Sequence, residues 1–436
     1  MFLSRICKIF APSVIFVTFC FGQDSSNIKI TPHGFSSAEW GQVVRGYDKN
    51  VGDIAHVSFA RIYLGTGLKV KLGEYTDFSG RLDVKAFNEF PRMANPGGTR
   101  RFYYYFYLHQ AELKHKFLNF LNNENLQLDV GGGYFPYKYN PDVRNLGEHL
   151  FRSTVYPQTL TTEFDMPWAR IAGLYSKLNY TNGKSSVGLD VIASLNTEWI
   201  AISDLNITLI GKYNLAKILE IGAGVQFSSL VSADGGARTP YDIQTTYLDE
   251  NNDTTNNYTF RGTKIMGRVS LDPKKLFSCP YFGENDLILY SEATLLGTKN
   301  YGVALRSPIW YNSILERIPV MAGFNFPTFK IFDVLSVEGQ WWGNRYPNSM
   351  EGAVIEGLPL PFLKSTKSID SVTYNKDNYK WSIFASKTFK KHYRIAAQAA
   401  SDHMRTFAWD YQRQDWEESL HGPDKWSFVF KFSLLF

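Results

Sequence analysis

The sequence predicts an all-β fold, a transmembrane antiparallel β-barrel of about sixteen strands, and three observations carry that prediction. Large apolar residues alternate with polar or small ones in one short segment after another, the signature of strands with one greasy and one wet face. The last such segment runs to the final residue, Phe436. After the first 22 residues no apolar run approaches the ~20 residues that a membrane-crossing helix needs, yet Phe, Tyr and Trp make up 16% of the 436 residues. Aromatic girdles around a polar lumen give a barrel that composition.

The chain opens with the layout of a secretory signal peptide over 1–22. Arg5 and Lys8 supply a positive start, Ile9 to Phe21 is almost wholly apolar, and Gly22 offers a small residue for a cut before Gln23. Two alternatives stand beside it. A lipoprotein anchored through Cys20 would need a small residue where Phe19 stands, and a retained membrane anchor would need a longer apolar run. Residues 23–40 are then expected as an N-terminal periplasmic segment and 41–436 as the barrel with long extracellular loops. Cleavage would leave about 414 residues, lower the net charge from +5 to about +3, and keep Cys279 as the one cysteine, so no intramolecular disulfide can form. A closed, fully hydrogen-bonded barrel supplies stability without one. That charge, with no basic tail or zinc spacing, excludes nucleic acid as an expected partner.

Sixteen candidate strands follow in order, at 41–48, 54–71, 79–89, 102–118, 124–136, 166–179, 185–197, 204–213, 217–230, 257–270, 286–297, 316–326, 332–343, 377–389, 392–408 and 424–436. Fourteen or eighteen remain compatible with the boundary error of such readings. Residues 54–63 and 166–179 alternate poorly, as a bulge or contact with an inserted loop would cause. Elsewhere the pattern is clean. Leu126, Leu128 and Val130 alternate with Gln127 and Asp129; Val187, Leu189 and Val191 with Gly188 and Asp190; Leu219, Ile221, Ala223 and Val225 with Glu220, Gly222 and Gly224. The terminal strand puts Trp426, Phe428, Phe430, Phe432, Leu434 and Phe436 on one face against Ser427, Lys431 and Ser433 on the other. It is the expected membrane-insertion signal, to be read by the barrel-assembly machinery.

An even strand number returns both termini to one side of the membrane, expected to be periplasmic. The gaps near 119–123, 180–184, 214–216, 327–331 and 390–391 are short and fall on that side, whereas 90–101, 137–165, 231–256, 298–315, 344–376 and 409–423 are long and fall outside. The exceptions are a short outer gap at 198–203 and a longer inner one at 271–285.

The wet-face positions are the expected pore lining: Lys69, Lys71, Arg81, Lys85, Arg394 and Lys431 against Asp83, Asp129, Asp190, Glu220, Glu292, Glu338 and Asp402. The two signs roughly balance, which predicts weak charge selectivity unless they segregate around the wall. Lys69, Lys71, Arg81 and Lys85 form a basic cluster that would favour anions locally if it faced water, or would simply brace the wall if it paired with nearby carboxylates. The segment 131–153 follows a clean strand and carries Asp142, Arg144, Glu148 and Arg152. It is read as a possible constriction loop, folded inward with Leu146, Leu150 and Phe151 against the wall; a loop lying over the rim is the alternative.

Ala60 to Val70, then Arg81 to Val84, then Asp129 to Lys138 with Gly131, Gly132 and Gly133 leading into Tyr134, Phe135 and Pro136, together resemble the phosphate-selective porin O/P family over residues 54–153. The remainder resembles a porin-like barrel in general. The resemblance implies a sixteen-stranded pore that assembles as a homotrimer. It also implies a lysine and arginine ladder that moves anions, and here this chain departs, because its interior lacks a sustained basic run.

The expected function is therefore that of a porin in a Gram-negative outer membrane, in contact with lipid and lipopolysaccharide, passing small hydrophilic solutes or ions, with no cofactor and no enzymatic role. No hydrolase or zinc motif appears in the sequence, and a Ser-His-acid group around His149 or His403 would show only as geometry. A plugged, energy-driven receptor would need an N-terminal domain of over a hundred residues, and only about twenty separate Gln23 from the first candidate strand. The alternative is a non-conducting barrel acting as an adhesin or anchoring platform, with Trp341, Trp342 and Tyr346 beside a long loop as its contacts. A lumen filled by loops would favour the platform and a continuous aqueous path the pore.

Overall fold

The computed structural model describes residues 28–48, 52–88, 102–152, 162–164, 166–167, 169–195, 204–232, 247–248, 254–255, 262–277, 280–298, 313–343, 378–404 and 418–436. Sixteen strands form one closed antiparallel barrel. They are β1 (Ile28–Arg45), β2 (Ser58–Leu72), β3 (Thr76–Asn88), β4 (Phe102–Phe117), β5 (Leu126–Tyr137), β6 (Ala169–Asn182), β7 (Ser185–Leu195) and β8 (Asp204–Leu215), followed by β9 (Leu219–Ser232), β10 (Gly262–Leu271), β11 (Leu289–Leu295), β12 (Pro319–Asn325), β13 (Val334–Trp342), β14 (Tyr379–Phe389), β15 (Tyr393–Ser401) and β16 (Trp426–Leu435).

Each strand pairs with its sequence neighbours, and β1 pairs with both β2 and β16, so no edge is left open. The seam is tied at its end by reciprocal backbone bonds, Gly34 N–H to the Phe436 carbonyl at 2.7 Å and Phe436 N–H to the Gly34 carbonyl at 3.0 Å. Across it, the Trp40 ring lies parallel to Phe430, with centroids 6.4 Å apart. Tight connections at 73–75, 183–184, 216–218 and 390–392 fall at one end, here the turn end, and the long connections at the other, except 272–288, a long connection at the turn end.

Period two decides which side of the wall each residue takes. On β10, Ile265, Val269 and Leu271 are exposed on the outer surface while Lys264, Met266, Arg268 and Ser270 are buried within. On β16, Phe430 and Phe432 are outward and Ser427, Val429, Lys431 and Ser433 inward. The result is a barrel with an apolar exterior and a polar interior, the arrangement of a transmembrane barrel. Inward glycines make room for long neighbours laid flat along the wall. A Cβ on Gly188 would stand 2.4 Å from Lys212 Cε, and one on Gly222 2.7 Å from Arg268 Nε. At Gly133, φ is +122° and a Cβ would lie 2.0 Å from the Ala111 carbonyl oxygen, so glycine alone fits where β5 crosses β4.

The first strand departs from expectation. The sequence pattern starts it at 41 after a periplasmic segment of 23–40, but the wall already includes Ile28 onward. Pro32, Gly34 and the Ser36–Ser37 pair blunt the alternation there, and pairing with β2 and β16 on both sides overrides that weak local preference. The poorly alternating stretch at 54–63 resolves into a buried Ile54 followed by β2 from Ser58. Register shifts fall instead at Val43/Arg45 between β1 and β16, at Leu205/Ile207 between β8 and β9, and between β3 and β4, where Arg81 pairs with Gln110 and Leu82 with Leu108, leaving His109 as the extra residue of a bulge. The signal-peptide segment, Cys279 and Tyr346 lie outside the described residues.

Candidate pore lumen

The wall from β1 to β10 carries paired charges. Arg81 grips Asp83 through Nε at 2.7 Å and Nη2 at 2.8 Å, and its guanidinium lies over the Phe35 ring. The bulge turns His109 inward, so that its Nδ1 stands 2.9 Å from the same Asp83. Lys85 is buried with its ammonium over the Tyr63 ring, and Lys431, also over that ring, pairs with Glu39 at 3.1 Å. Farther round, Lys114 pairs with Asp129 at 2.6 Å, Tyr137 donates to Asp190 at 2.7 Å, and Arg268 pairs with Glu220 at 2.5 Å. Lys177 lies in register between Asp129 and Asp190 on the two adjoining strands. Of the basic cluster, then, Arg81 and Lys85 are built into the wall. Lys69 and Lys71 are exposed on the inward parity near the turn end of β2, opposite Thr31 and Lys29, the latter also exposed.

The segment after β5 leaves the wall and crosses the lumen. Tyr139 and Asn140 donate backbone N–H groups to Glu148, closing the segment on itself, and it ends in a helical turn, α1 (His149–Arg152). Glu338 on β13 accepts the backbone N–H groups of Arg144 at 2.5 Å, Asn145 at 2.8 Å and Leu146 at 2.8 Å, and the Tyr290 hydroxyl at 2.8 Å. Glu292 on β11 accepts the backbone N–H of His149 at 2.9 Å and of Glu148 at 3.2 Å, and the Tyr139 hydroxyl at 2.6 Å. On β10, Lys264 donates to the Leu150 carbonyl at 3.1 Å and Ser270 to Asp142 at 2.6 Å. Burial, then the charges of Glu292 and Glu148, hold the Tyr139 phenol far above its usual range, which keeps it a donor. Because β13 stands eight places from β5 in a ring of sixteen, the segment reaches the opposite wall.

Apolar contacts follow the same path. Leu150 packs among Phe135, Tyr175, Ile192, Ile210 and Met266, and Val143 and Leu146 among Ile288, Tyr290 and Met321. Val143, Leu146 and Leu150 are each 0% exposed. Asp142, Arg144 and Glu148 thus all sit within the crossing segment; Arg152 closes α1, and its side chain lies outside the described residues.

Two further stretches enter from the loop end. The Phe164 ring meets Phe384, and its carbonyl accepts from Lys431 at 3.1 Å. Residues 418–422 run against β13 to β15: Lys380 pairs with Glu418 at 2.7 Å and donates to the Leu420 carbonyl at 2.6 Å. Asp402, expected on a wall strand, lies one residue past β15, where it accepts from Asn145 at 3.1 Å and Gln398 at 3.2 Å. Burial raises its carboxyl above the ordinary range. Arg394, on β15, stays in the wall.

His403 is held on both ring nitrogens, Nδ1 by Glu418 and Nε2 by the Gln340 amide at 3.1 Å, with glutamine where a hydrolase triad would place its serine. Among the described residues no group of three or more His, Cys, Asp and Glu is placed to hold a metal ion. Sequence reading missed Glu39, Lys264, Lys380 and Glu418. Glu39 was lost with the misplaced first strand. Lys264 and Lys380 alternate with apolar neighbours and were findable; Glu418 sits in a loop that carries no period.

No family model matches the chain, and no curated protein matches it either. Among solved structures it is similar to mutants of the Rhodopseudomonas blastica porin. One of them, at 8% identity and a TM-score of 0.40, is matched over 94% of this chain and 100% of that one. The outer-membrane channel DcaP of Acinetobacter baumannii matches at 13% identity and a TM-score of 0.44, over 95% of this chain and 99% of that one.

Proposed function

We propose that the protein is an outer-membrane porin that passes small hydrophilic solutes or ions passively, through a lumen narrowed by residues 138–152 and with a weak preference for anions. The observation that carries this reading is the division of labour among the inward charges. Glu39, Glu148, Glu292, Glu338 and Glu418 are all buried and hold loops or lysines in place, whereas Lys29, Lys69 and Lys71 stand exposed at the turn end. A charge already consumed by hydrogen bonds acts weakly on a passing ion, and an exposed one acts directly. The paired Arg81 and Asp83 are silent in this account, so neither phosphate specificity nor an anion ladder is part of it.

Single-channel recording in a planar bilayer under a salt gradient tests the proposal. Stable steps with a reversal potential on the anion side are expected, and the double variant Lys69→Glu, Lys71→Glu should move that potential toward cations. A second reading is favoured by the three inward stretches at 138–152, 164 and 418–422: a filled barrel serving as a surface adhesin or anchoring platform. A folded, non-conducting protein would establish it over the pore. The remaining assignments, a cleaved signal over 1–22, assembly as a homotrimer, insertion by the barrel-assembly machinery and contact with lipopolysaccharide, are checked by N-terminal sequencing and by the mass of the membrane-extracted particle.

A further inference from the structure

Strands β11 and β12 have 7 residues each, against 14 in β9 and 11 in β14. Seven residues at about 3.3 Å each, tilted by about 40°, rise only about 18 Å, short of the roughly 25 Å apolar band of a membrane barrel. Directly below these strands hang two turns of the turn end, 272–288 and 326–333. They carry Leu276, Phe277, Tyr281, Phe326, Phe329 and Ile331, all exposed.

The described residues of the two turns are tied to one another. Asp286, buried, accepts the Gly283 N–H at 2.8 Å, the Thr328 hydroxyl at 3.0 Å and the Phe329 N–H at 3.2 Å. Lys330 reaches back to the Pro280 carbonyl at 2.5 Å, and Asn285 to the Asp333 carbonyl at 3.0 Å. Phe282 stacks on Phe329 at 5.7 Å and meets Phe277 at 6.0 Å. The sorting of the wall continues past the strand ends: Thr328 and Asp286 are buried, as is Asn325 at the end of β12, while Phe326 extends the outward face of β12, its ring 4.8 Å from Phe324. Phe329 and Lys330 hold φ of 52° and 68°, a left-handed turn that smaller residues fill at less cost.

We propose that these two turns form an apolar foot immersed in the lipid boundary at the turn end, its rings in the acyl and glycerol region and the exposed Lys275 directed to headgroup phosphates. The foot supplies the lipid contact that the short strands above it lack. Lipid is the fitting partner because the patch is continuous with the outer apolar face, and because aromatic rings flanked by lysine are the chemistry of a membrane interface. The proposal rests on the reading of the barrel as membrane-spanning, and the experiment separates the two.

Single cysteines at Tyr281 or Ile331, in a chain carrying Cys7→Ser, Cys20→Ser and Cys279→Ser, are labelled with an environment-sensitive fluorophore and reconstituted in phosphatidylcholine vesicles. Ile265→Cys and Val269→Cys on the outer face of β10 serve as wall controls, Lys184→Cys in a tight turn as the water control, and heat-modifiable gel mobility confirms that each variant is folded. Doxyl-labelled lipid is expected to quench positions 281 and 331 as it quenches 265, with iodide quenching them about twofold less than 184. Iodide quenching equal to that at 184, with 265 and 269 still in lipid, would overturn the foot and leave the spanning barrel standing. Shielding from both quenchers would overturn it too, by showing a protein cover. Iodide quenching at 265 and 269 would bring down the membrane-spanning reading itself.

Discussion

Three consecutive backbone N–H groups converging on Glu338, 1% exposed, make this one carboxylate the far anchor of the crossing segment. Hydrogen bonds to a buried charge are each worth about 1.5–3 kcal/mol, and orphaned donors cost further. Glu338→Ala is therefore expected to lower stability by roughly 3 kcal/mol and, if the segment swings clear, to raise single-channel conductance; a denaturation midpoint and a conductance histogram read the two effects separately. Tyr139→Phe removes one hydroxyl that donates to Glu292 and accepts from the Leu150 N–H at 3.2 Å. Its cost should be about 1–2 kcal/mol, with a smaller change in conductance. Glu292 and Glu338 were legible in the sequence as inward carboxylates, because each alternates with apolar neighbours. What they hold was not legible, since the partners are main-chain groups 143 to 194 residues away, and a backbone N–H leaves no mark on composition.

Strands announce themselves in proportion to how cleanly two faces differ. On β16 the contrast between Phe430 or Phe432 and Ser427 or Lys431 is complete, and the strand was read almost to the residue. On β1 proline and glycine interrupt the outward face, so the strand emerges only from its two neighbours. The bulge at His109 was equally invisible, because a register shift belongs to a pair of strands rather than to either one. Gly222 and Gly133 test how far packing depends on missing side chains. Gly222→Val should displace Arg268 from Glu220 and cost about 1–3 kcal/mol by overpacking. Gly133→Ala, which puts a methyl into a backbone carbonyl at positive φ, should cost more and lower the yield of heat-modifiable, folded barrel.

At the scale of the whole molecule, closure depends on β1 and β16 meeting. Phe436 contributes a backbone pair to Gly34 inside the seam and an outward, exposed ring outside it. Phe436→Asp keeps the backbone pair and places a charge at the lipid boundary. Once folded, the variant should lose only about 1 kcal/mol, whereas its assembly into membranes in cells should fall much further if the terminal strand is the insertion signal. Comparing the refolded protein with the membrane-inserted yield separates these two expectations.

The segment that crosses from β5 to β13 joins points half a circumference apart. A ring of hydrogen-bonded strands resists stretching along its perimeter but flattens easily, since an ellipse keeps the same perimeter as a circle. A member fixed across the diameter removes that freedom: the section cannot become oval along this axis without breaking bonds at Glu338 or Glu292. The crossing segment is thus a tie-rod, and lateral pressure from the bilayer is carried through residues 138–152 as well as around the wall.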